Sequence, residues 1–152
     1  MFRVAILFPT VLVAAALCSC EGGKFPSLRP CSDLPAGFSV SYSEGPDFDL
    51  WRVRSDSESL AGSATLYFGD YPEILAPQNA EIETGTLLAK PATWKTWITS
   101  LGEVSESVIS YTHDAESREL KVHAFVGFSS AADAVVIRSW ISELKVCEQA
   151  AV

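Results

Sequence analysis

The sequence predicts an α+β domain in which an antiparallel β-sheet carries a C-terminal helix on one face. Between residues 38 and 128, short runs of alternating apolar and polar residues recur, and this alternation is typical of strands with one buried face. One apolar stripe of 3.6-residue period follows, from Val136 to Leu144, and predicts a helix. Strands followed by a helix favour an antiparallel sheet over alternating strand–helix–strand units.

The strands are predicted in two groups, and the first group shows the regular alternation. Its members are 38–42, 48–54 and 64–68, with a turn at 43–47. Asp47 and Asp49 share one strand face at positions i and i+2. We expect a solvated edge there, because a calcium site needs more oxygen ligands at regular spacing.

The second group of strands contains prolines and a hairpin. Thr86–Ala89 and Thr93–Thr99 are predicted strands separated at Pro91, which is typical of a turn or a sheet edge. Glu106–Thr112 and Leu120–Phe128 form the clearest predicted hairpin. The segment before this group, Glu73–Glu83, is expected to be irregular, because Pro77 prevents a good strand there.

The final helix has recognisable ends. Ser130 and Asp133 resemble a capping box, although Asp replaces the usual Glu. Asp133 near the start and Lys145 near the end suit the helix dipole. We expect the apolar stripe to pack across the sheet face formed by Leu120–Phe128.

The first residues have a different character from the rest of the chain. Arg3 gives a weakly basic start, and Val4–Leu17 is apolar apart from Thr10. About 20 apolar residues are needed to span a bilayer as a helix, and this run is shorter. A basic start, a short apolar core and a small-residue boundary predict a cleaved signal peptide over residues 1–19.

The boundary Leu17-Cys18-Ser19-Cys20 resembles the bacterial lipobox, in which a Leu lies three residues before the modified Cys. The resemblance implies a diacylglyceryl group on the Cys20 sulfur, cleavage before Cys20 and N-acylation. Several acyl chains hold a protein stably on a membrane, whereas one chain holds it marginally. In the sorting pattern of Gram-negative lipoproteins, Asp after the modified Cys favours retention in the inner membrane; this chain has Glu21 there, so the resemblance slightly favours the outer membrane over the inner.

Residues 20–30 are predicted to be a lipidated flexible tether, since Gly and Pro interrupt every pattern there. The globular domain is predicted over residues 31–148. Cys31 and Cys147 remain after Cys18 leaves with the signal and Cys20 is acylated. In an exported protein they predict one disulfide, with two free thiols as the alternative. Their distance in sequence, with no His nearby, gives no metal-ligand spacing.

The charge of the chain restricts its partners. The formal net charge is −8, and loss of Arg3 would make the mature chain one unit more negative. This argues against nucleic acid, which needs basic patches. It also argues against an electrostatic hold on anionic lipid, and the bilayer contact is therefore expected through acylated Cys20.

The domain has a general resemblance to known small domains. It is similar to the Mog1/PsbP type, which opens with an extended segment like Phe38–Tyr42 and closes with a helix like Ala131–Leu144. Phe68–Pro72, Phe-Gly-Asp-Tyr-Pro, resembles a turn in short bacterial lipoproteins. The second resemblance implies no activity.

The sequence contains no catalytic, cofactor or metal signature that we recognise. His113 lies beside Asp114 in the predicted hairpin loop, where a solvated turn residue is the expected interpretation. His123 shares a strand face with Lys121 and Phe125, and we expect it to lie beside a neighbouring strand as a structural residue.

Four aromatic residues are candidates for contact with a ligand or partner: Tyr67, Tyr71, Trp94 and Trp97. Aromatic residues at positions i and i+3 could form a platform for sugars or a partner protein. Packing in the core or over a sheet edge is the interpretation we favour for them, because each ring buries a large area.

These observations predict a membrane-anchored bacterial envelope lipoprotein with a small periplasm-facing domain. We expect a non-catalytic binding or accessory module without cofactor or metal, whose partner is an envelope protein or a glycan. The alternative is a small periplasmic hydrolase or carbohydrate-binding protein that uses the aromatic residues with Asp47, Asp49 or His113. That alternative requires these side chains to converge on one pocket.

Overall fold

The computed structural model of the chain describes residues 28–56, 62–100, 102–113 and 118–148. The predicted signal peptide and the lipidation at Cys20 lie outside these residues.

The described residues form a seven-stranded antiparallel sheet, one helix and a two-stranded ribbon, which confirms the predicted fold class. The sheet order is β2-β3-β4-β8-β7-β6-β5, and β1 pairs with β9 in the ribbon. The elements are β1 (Leu28–Pro30), β2 (Phe38–Glu44), β3 (Phe48–Ser55), β4 (Ser63–Gly69), β5 (Glu81–Leu87), β6 (Lys90–Thr99), β7 (Gly102–His113), β8 (Arg118–Gly127), α1 (Ala131–Glu143) and β9 (Val146–Glu148).

The sheet has a core face, packed against α1 and the ribbon, and an open face on the other side. Successive strand residues point to opposite faces, and the cross-strand register assigns each residue to one of them. Buried apolar side chains fill the core face, and Ile137 and Ile141 of α1 complete this core. The strand residues at its centre are Trp51, Val53, Leu66, Phe68, Val122 and Ala124.

Both ends of α1 have hydrogen-bond partners. Ser130 is the N-cap, and its side chain accepts a bond from the Asp133 amide, as the capping pattern predicts. At the other end, the Leu88 amide donates to the Ile141 carbonyl at 3.1 Å, and the Ala89 amide donates to the Ser142 carbonyl at 2.7 Å. The turn between β5 and β6 therefore satisfies carbonyls that a helix leaves unpaired at its C-terminus.

This turn corrects the predicted strand boundaries. Leu88 and Ala89 have φ values of 53° and 57°, as in the type I′ turns that join two-residue hairpins. The predicted strand Thr86–Ala89 is therefore the end of β5 plus the turn. The predicted break at Pro91 is wrong, because β6 runs without interruption from Lys90 to Thr99.

Pro91 fits into β6 because its missing amide faces no paired neighbour. Leu87 and Lys90 close the hairpin, so the backbone of the next residue, Pro91, faces away from β5 and towards β7. Pairing between β6 and β7 begins only at Trp94, opposite Ser107. Pro91 lacks a backbone N–H, but no hydrogen bond is lost, because β6 is not paired with β7 at this position.

The N-terminal boundary of the folded part also differs from the prediction. Leu28 is buried in the core; its amide donates to Asp49 Oδ2 at 3.0 Å, and its carbonyl accepts from Trp51 Nε1 at 3.0 Å. Residues 28–30 pair with β9. The tether was predicted to extend to Pro30, and that boundary was wrong because two side chains of β3 hold Leu28.

Candidate functional site

The open face is partly covered by the connection between β4 and β5, residues 70–80, and this is the candidate site. Two ionisable residues are buried beneath the connection, Glu106 of β7 and His123 of β8. Both project from the open face, since Glu106 lies opposite Phe125 and His123 lies opposite Val108 in the β7–β8 register. Polar groups at such depth need hydrogen-bond partners.

The Glu106 carboxylate, 2 % exposed, has a partner on each oxygen. Oε1 accepts from the Leu75 amide at 2.8 Å, and Oε2 accepts from the Ala76 amide at 2.8 Å. His123 Nε2 lies 2.8 Å from Oε1. Glu106 therefore fixes the connection onto the sheet, and we call these contacts the Glu106 clamp.

The clamp limits what this carboxylate can do chemically. A general base must reach a substrate proton at about 2.6–3.2 Å, but the oxygens of Glu106 already accept two amide hydrogens and lie in hydrogen-bond contact with the His123 imidazole. Lys95 lies directly opposite Glu106 in the β6–β7 register. The contacts of Glu106 with Leu75, Ala76 and His123 are therefore suited to holding the connection 70–80 on the sheet.

A cleft adjoins the clamp where β6 and β7 diverge. A cavity of about 220 Å³ is lined by Ile74, Thr93, Lys95, Glu106, Ser107 and Val108. A shallower groove of about 640 Å³ shares Thr93 and Val108 with it and continues along the diverging strands. Where the backbone ladder ends, the Ser107 hydroxyl donates to the Thr93 carbonyl at 2.9 Å. A side chain thus replaces the next backbone bond and leaves the strands apart beyond it.

Trp94 and Trp97 do not form a common platform. Trp94 is fully buried on the core face, where its Nε1 donates to the Thr86 carbonyl at 3.1 Å and Arg138 lies over its ring. Trp97 is half-buried on the open face against Phe125, with ring centroids 6.2 Å apart. A spacing of three residues places two side chains on opposite faces of a strand.

The two tyrosines lie close together but differ in exposure. Tyr67 stacks on Phe48 with ring centroids 5.8 Å apart, and its hydroxyl accepts a bond from the Tyr71 amide at 3.3 Å. The Tyr71 side chain is 84 % exposed. Of the four aromatic candidates, Tyr71 offers the most accessible ring.

Asp47 and Asp49 do not form a paired carboxylate site. Asp47 is exposed in the turn before β3, whereas Asp49 is buried on the core face and holds Leu28. The predicted solvated edge was therefore wrong for Asp49. Burial raises its pKa above the ordinary value of 3.8, the Leu28 amide opposes that shift, Glu44 adds to it, and Arg29 opposes it.

The histidines complete the list of predicted site residues. His113 is the last residue of β7, and its side chain lies outside the described part of the structure. His123 lies beside a neighbouring strand, but it is buried and belongs to the clamp. The side chains required by the alternative hydrolase interpretation are not brought together among the described residues. Within the same residues, no group of three or more His, Cys, Asp or Glu could hold a metal ion.

Sequence reasoning missed Glu106 because its partners are amides from a distant connection. One signal was present: Glu106 is a charged residue between Val104 and Val108 on one face of a strand. A predicted hairpin register would have placed it beside His123 on that face.

Cys31 and Cys147 lie at disulfide distance, with Cα atoms 5.4 Å apart and a sequence separation of 116. β1 ends next to Cys31, and Cys147 lies in β9, opposite Arg29. The Cys31 amide also donates to the Lys145 carbonyl at 2.8 Å. The two ends of the domain therefore meet at the ribbon.

Comparison with protein-family models, with curated proteins and with solved structures gave no match in any of the three cases. No helix of the described part of the chain is long and apolar enough to cross a membrane.

Proposed function

We propose that this chain is an exported bacterial lipoprotein, anchored through acylated Cys20 and facing the periplasm, with a domain that is a non-catalytic binding or accessory module. The carrying observation is the sequence of residues 1–20, with a signal-like run followed by Leu17-Cys18-Ser19-Cys20. Two or more acyl chains on Cys20 would hold the domain stably without a membrane-spanning helix.

The arrangement of the domain supports an anchor at its N-terminus. The ribbon joins the first and last strands, and Cys31 and Cys147 lie at disulfide distance beside it. Residues 21–27 would extend at most about 25 Å at about 3.5 Å per residue. The ribbon would therefore remain close to the membrane, and a pull on the tether would act on this joined pair of ends.

The open face supports a binding role over catalysis. Its buried acid, Glu106, is committed to two amides and His123, and the residues named for a hydrolase do not converge where the structure describes their side chains. The same face presents hydroxyls, guanidinium groups and half-buried aromatic rings to the surroundings. Such groups bind partners without a reacting nucleophile.

The test of the anchor is the intact mass of the mature protein purified from membranes. We expect a chain that begins at Cys20 and carries the mass of a diacylglyceryl group and an N-acyl chain. Cys20→Ser should abolish this modification and release or mis-sort the protein. Cys18→Ser is the matched control and should leave acylation intact. A mature chain without lipid would refute the anchor.

A further inference from the structure

Charge is distributed unequally between the two faces of the sheet. The chain has a net charge of −8, yet the described strands carry four Lys or Arg residues on the open face against two acids, Glu106 and Glu119. Glu106 is buried in its clamp, and Glu119 is bound by Lys121 at 2.9 Å. The cations that remain on this face are Arg52, Arg54 and Lys95.

Two of these cations stand in a regular pattern on the exposed part of the open face. The antiparallel register of β2, β3 and β4 places each guanidinium between two hydroxyl residues. We call these lines the arginine rows. They are Ser39–Arg54–Ser63 and Ser41–Arg52–Thr65.

The geometry of a sheet fixes the spacing of the rows. Residues i and i+2 of a strand lie about 7 Å apart, and neighbouring strands lie about 4.8 Å apart. Arg52 and Arg54 are both exposed. No carboxylate of the described residues forms a salt bridge with either guanidinium. The rows therefore present two charges with no anionic partner in the described part of the chain.

The second row continues onto an aromatic ring. Thr65 lies opposite Phe125 of β8, and Phe125 is half-buried on the open face. Sugar rings stack on aromatic faces, which are apolar and flat. The row therefore offers a guanidinium, the Thr65 hydroxyl and a ring along one line, together with the Ser41 hydroxyl, which donates to the Arg52 carbonyl at 3.5 Å and is left to act as an acceptor.

We propose that the arginine rows bind an acidic glycan, a sugar chain with carboxylate groups. This deepens the proposed role as a binding module and rests on it. A guanidinium binds a carboxylate through two parallel hydrogen bonds, and Ser and Thr hydroxyls both donate to and accept from sugar hydroxyls. An exposed, regular strand surface suits an extended ligand whose charges recur along its length.

The acidic net charge of the chain does not prevent this binding. The exposed strand acids Glu44, Glu81, Glu83 and Glu103 belong to the core face by register. At physiological ionic strength the screening length is about 8 Å, so charges across the sheet and its core act weakly on the rows.

The experiment uses the full mature chain in detergent and calorimetric titration with an oligogalacturonate, which carries one carboxylate per sugar. A neutral glucose oligomer of equal length, polyglutamate and anionic vesicles are the comparison probes. We expect oligogalacturonate to bind, with an affinity that falls as salt is raised. Failure of oligogalacturonate to bind, or equal binding of any comparison probe, would overturn the proposal.

Variants assign the binding to the rows. Arg52→Gln should lower the affinity about tenfold, and Arg52→Lys should lose less because the charge remains without the planar fork. Lys145→Gln removes one exposed charge outside the sheet and should leave the affinity unchanged. Equal affinities for Arg52→Gln and Lys145→Gln, with unchanged thermal unfolding, would contradict the assignment.

The same preparation separates the two proposals. Its intact mass reports acylation of Cys20, and the titration reports glycan binding. Acylated protein that binds no probe would refute the glycan and leave the anchor standing. Unmodified protein that binds oligogalacturonate would refute the anchor and leave the glycan proposal standing.

Discussion

The two faces of the sheet bury residues in different ways. On the core face, burial is mostly apolar, with rings and aliphatic chains closed in by α1 and the ribbon. On the open face, the connection 70–80 is held down by a carboxylate that accepts two of its amides. Apolar packing is non-directional and tolerates adjustment, whereas the clamp depends on three specific hydrogen bonds. The faces should therefore respond differently to mutation.

Opening the ribbon should give the largest effect. If Cys31 and Cys147 are bonded, Cys31→Ser with Cys147→Ser should lower the free energy of unfolding by about 4–5 kcal/mol, because a long loop of the unfolded chain is no longer closed. Denaturant titration of both proteins measures this difference. Alkylation without reductant should leave both cysteines unlabelled, and labelled thiols would refute the bridge.

Removing the central ring of the core face should be nearly as costly. Trp51 is fully buried, lies 4.7 Å from Phe68 between ring centroids and donates to the Leu28 carbonyl. Trp51→Ala should cost about 3–5 kcal/mol through the cavity it leaves. Trp97→Ala, half-buried on the open face, is the control and should cost less.

If Trp51→Ala does not fold, Trp51→Phe keeps most of the packing and removes the indole donor. It should cost about 1–3 kcal/mol, since the buried Leu28 carbonyl loses a partner. Equal losses at positions 51 and 97 would contradict the distinction between the two faces.

The clamp should give a smaller but localised effect. In Glu106→Gln, the single carbonyl oxygen can accept from Leu75 or Ala76 but serves both less well than a carboxylate. We expect a loss of about 2–3 kcal/mol and faster amide hydrogen exchange at these two residues. Glu103→Gln, exposed on β7, should change stability by less than about 0.5 kcal/mol. Unchanged exchange in Glu106→Gln would show that the connection is held by other contacts.

Substitution of Asp49 should have the smallest effect on stability, and this effect should depend on pH. Because burial raises the pKa of Asp49 above 3.8, its protonated form favours folding, and that stability is lost as pH rises through the folded-state pKa. Asp49→Asn keeps an acceptor for the Leu28 amide and carries no charge. Its stability relative to the native chain should therefore increase as pH rises above 3.8. Urea titrations at several pH values measure this, and a constant difference would contradict it.

The fold class followed from local patterns, because alternation and the helical stripe are short-range properties of the sequence. The strand at Leu28–Pro30 had no such signal, since its contacts come from side chains 21 and 23 residues away. The turn at Leu88–Ala89 lacks the Asn or Gly that usually marks a type I′ turn. Its conformation is supported by the end of α1, which no local pattern contains.

The candidate site was less predictable than the fold. The expectation that Trp94 packs in the core was confirmed. The possible platform with Trp97 was wrong, because residues three apart in a strand point to opposite faces of the sheet. Glu106 was missed because its structural role depends on two amides, those of Leu75 and Ala76, that come from a distant segment of the chain. The arginine rows required the register of three strands, which the alternation of each strand does not specify.

The turn at Leu88 and Ala89 has a consequence for the order of assembly. A left-handed conformation costs roughly 1–2 kcal/mol for each non-glycine residue, and its compensation comes from carbonyls of residues 141 and 142. The hairpin of β5 and β6 should therefore be unstable in a nascent chain that has not yet released its last helix. In a refolding experiment, chains truncated before residue 141 should leave this edge of the sheet unprotected. We therefore expect the β5–β6 edge of the sheet to become stable only after α1 has formed.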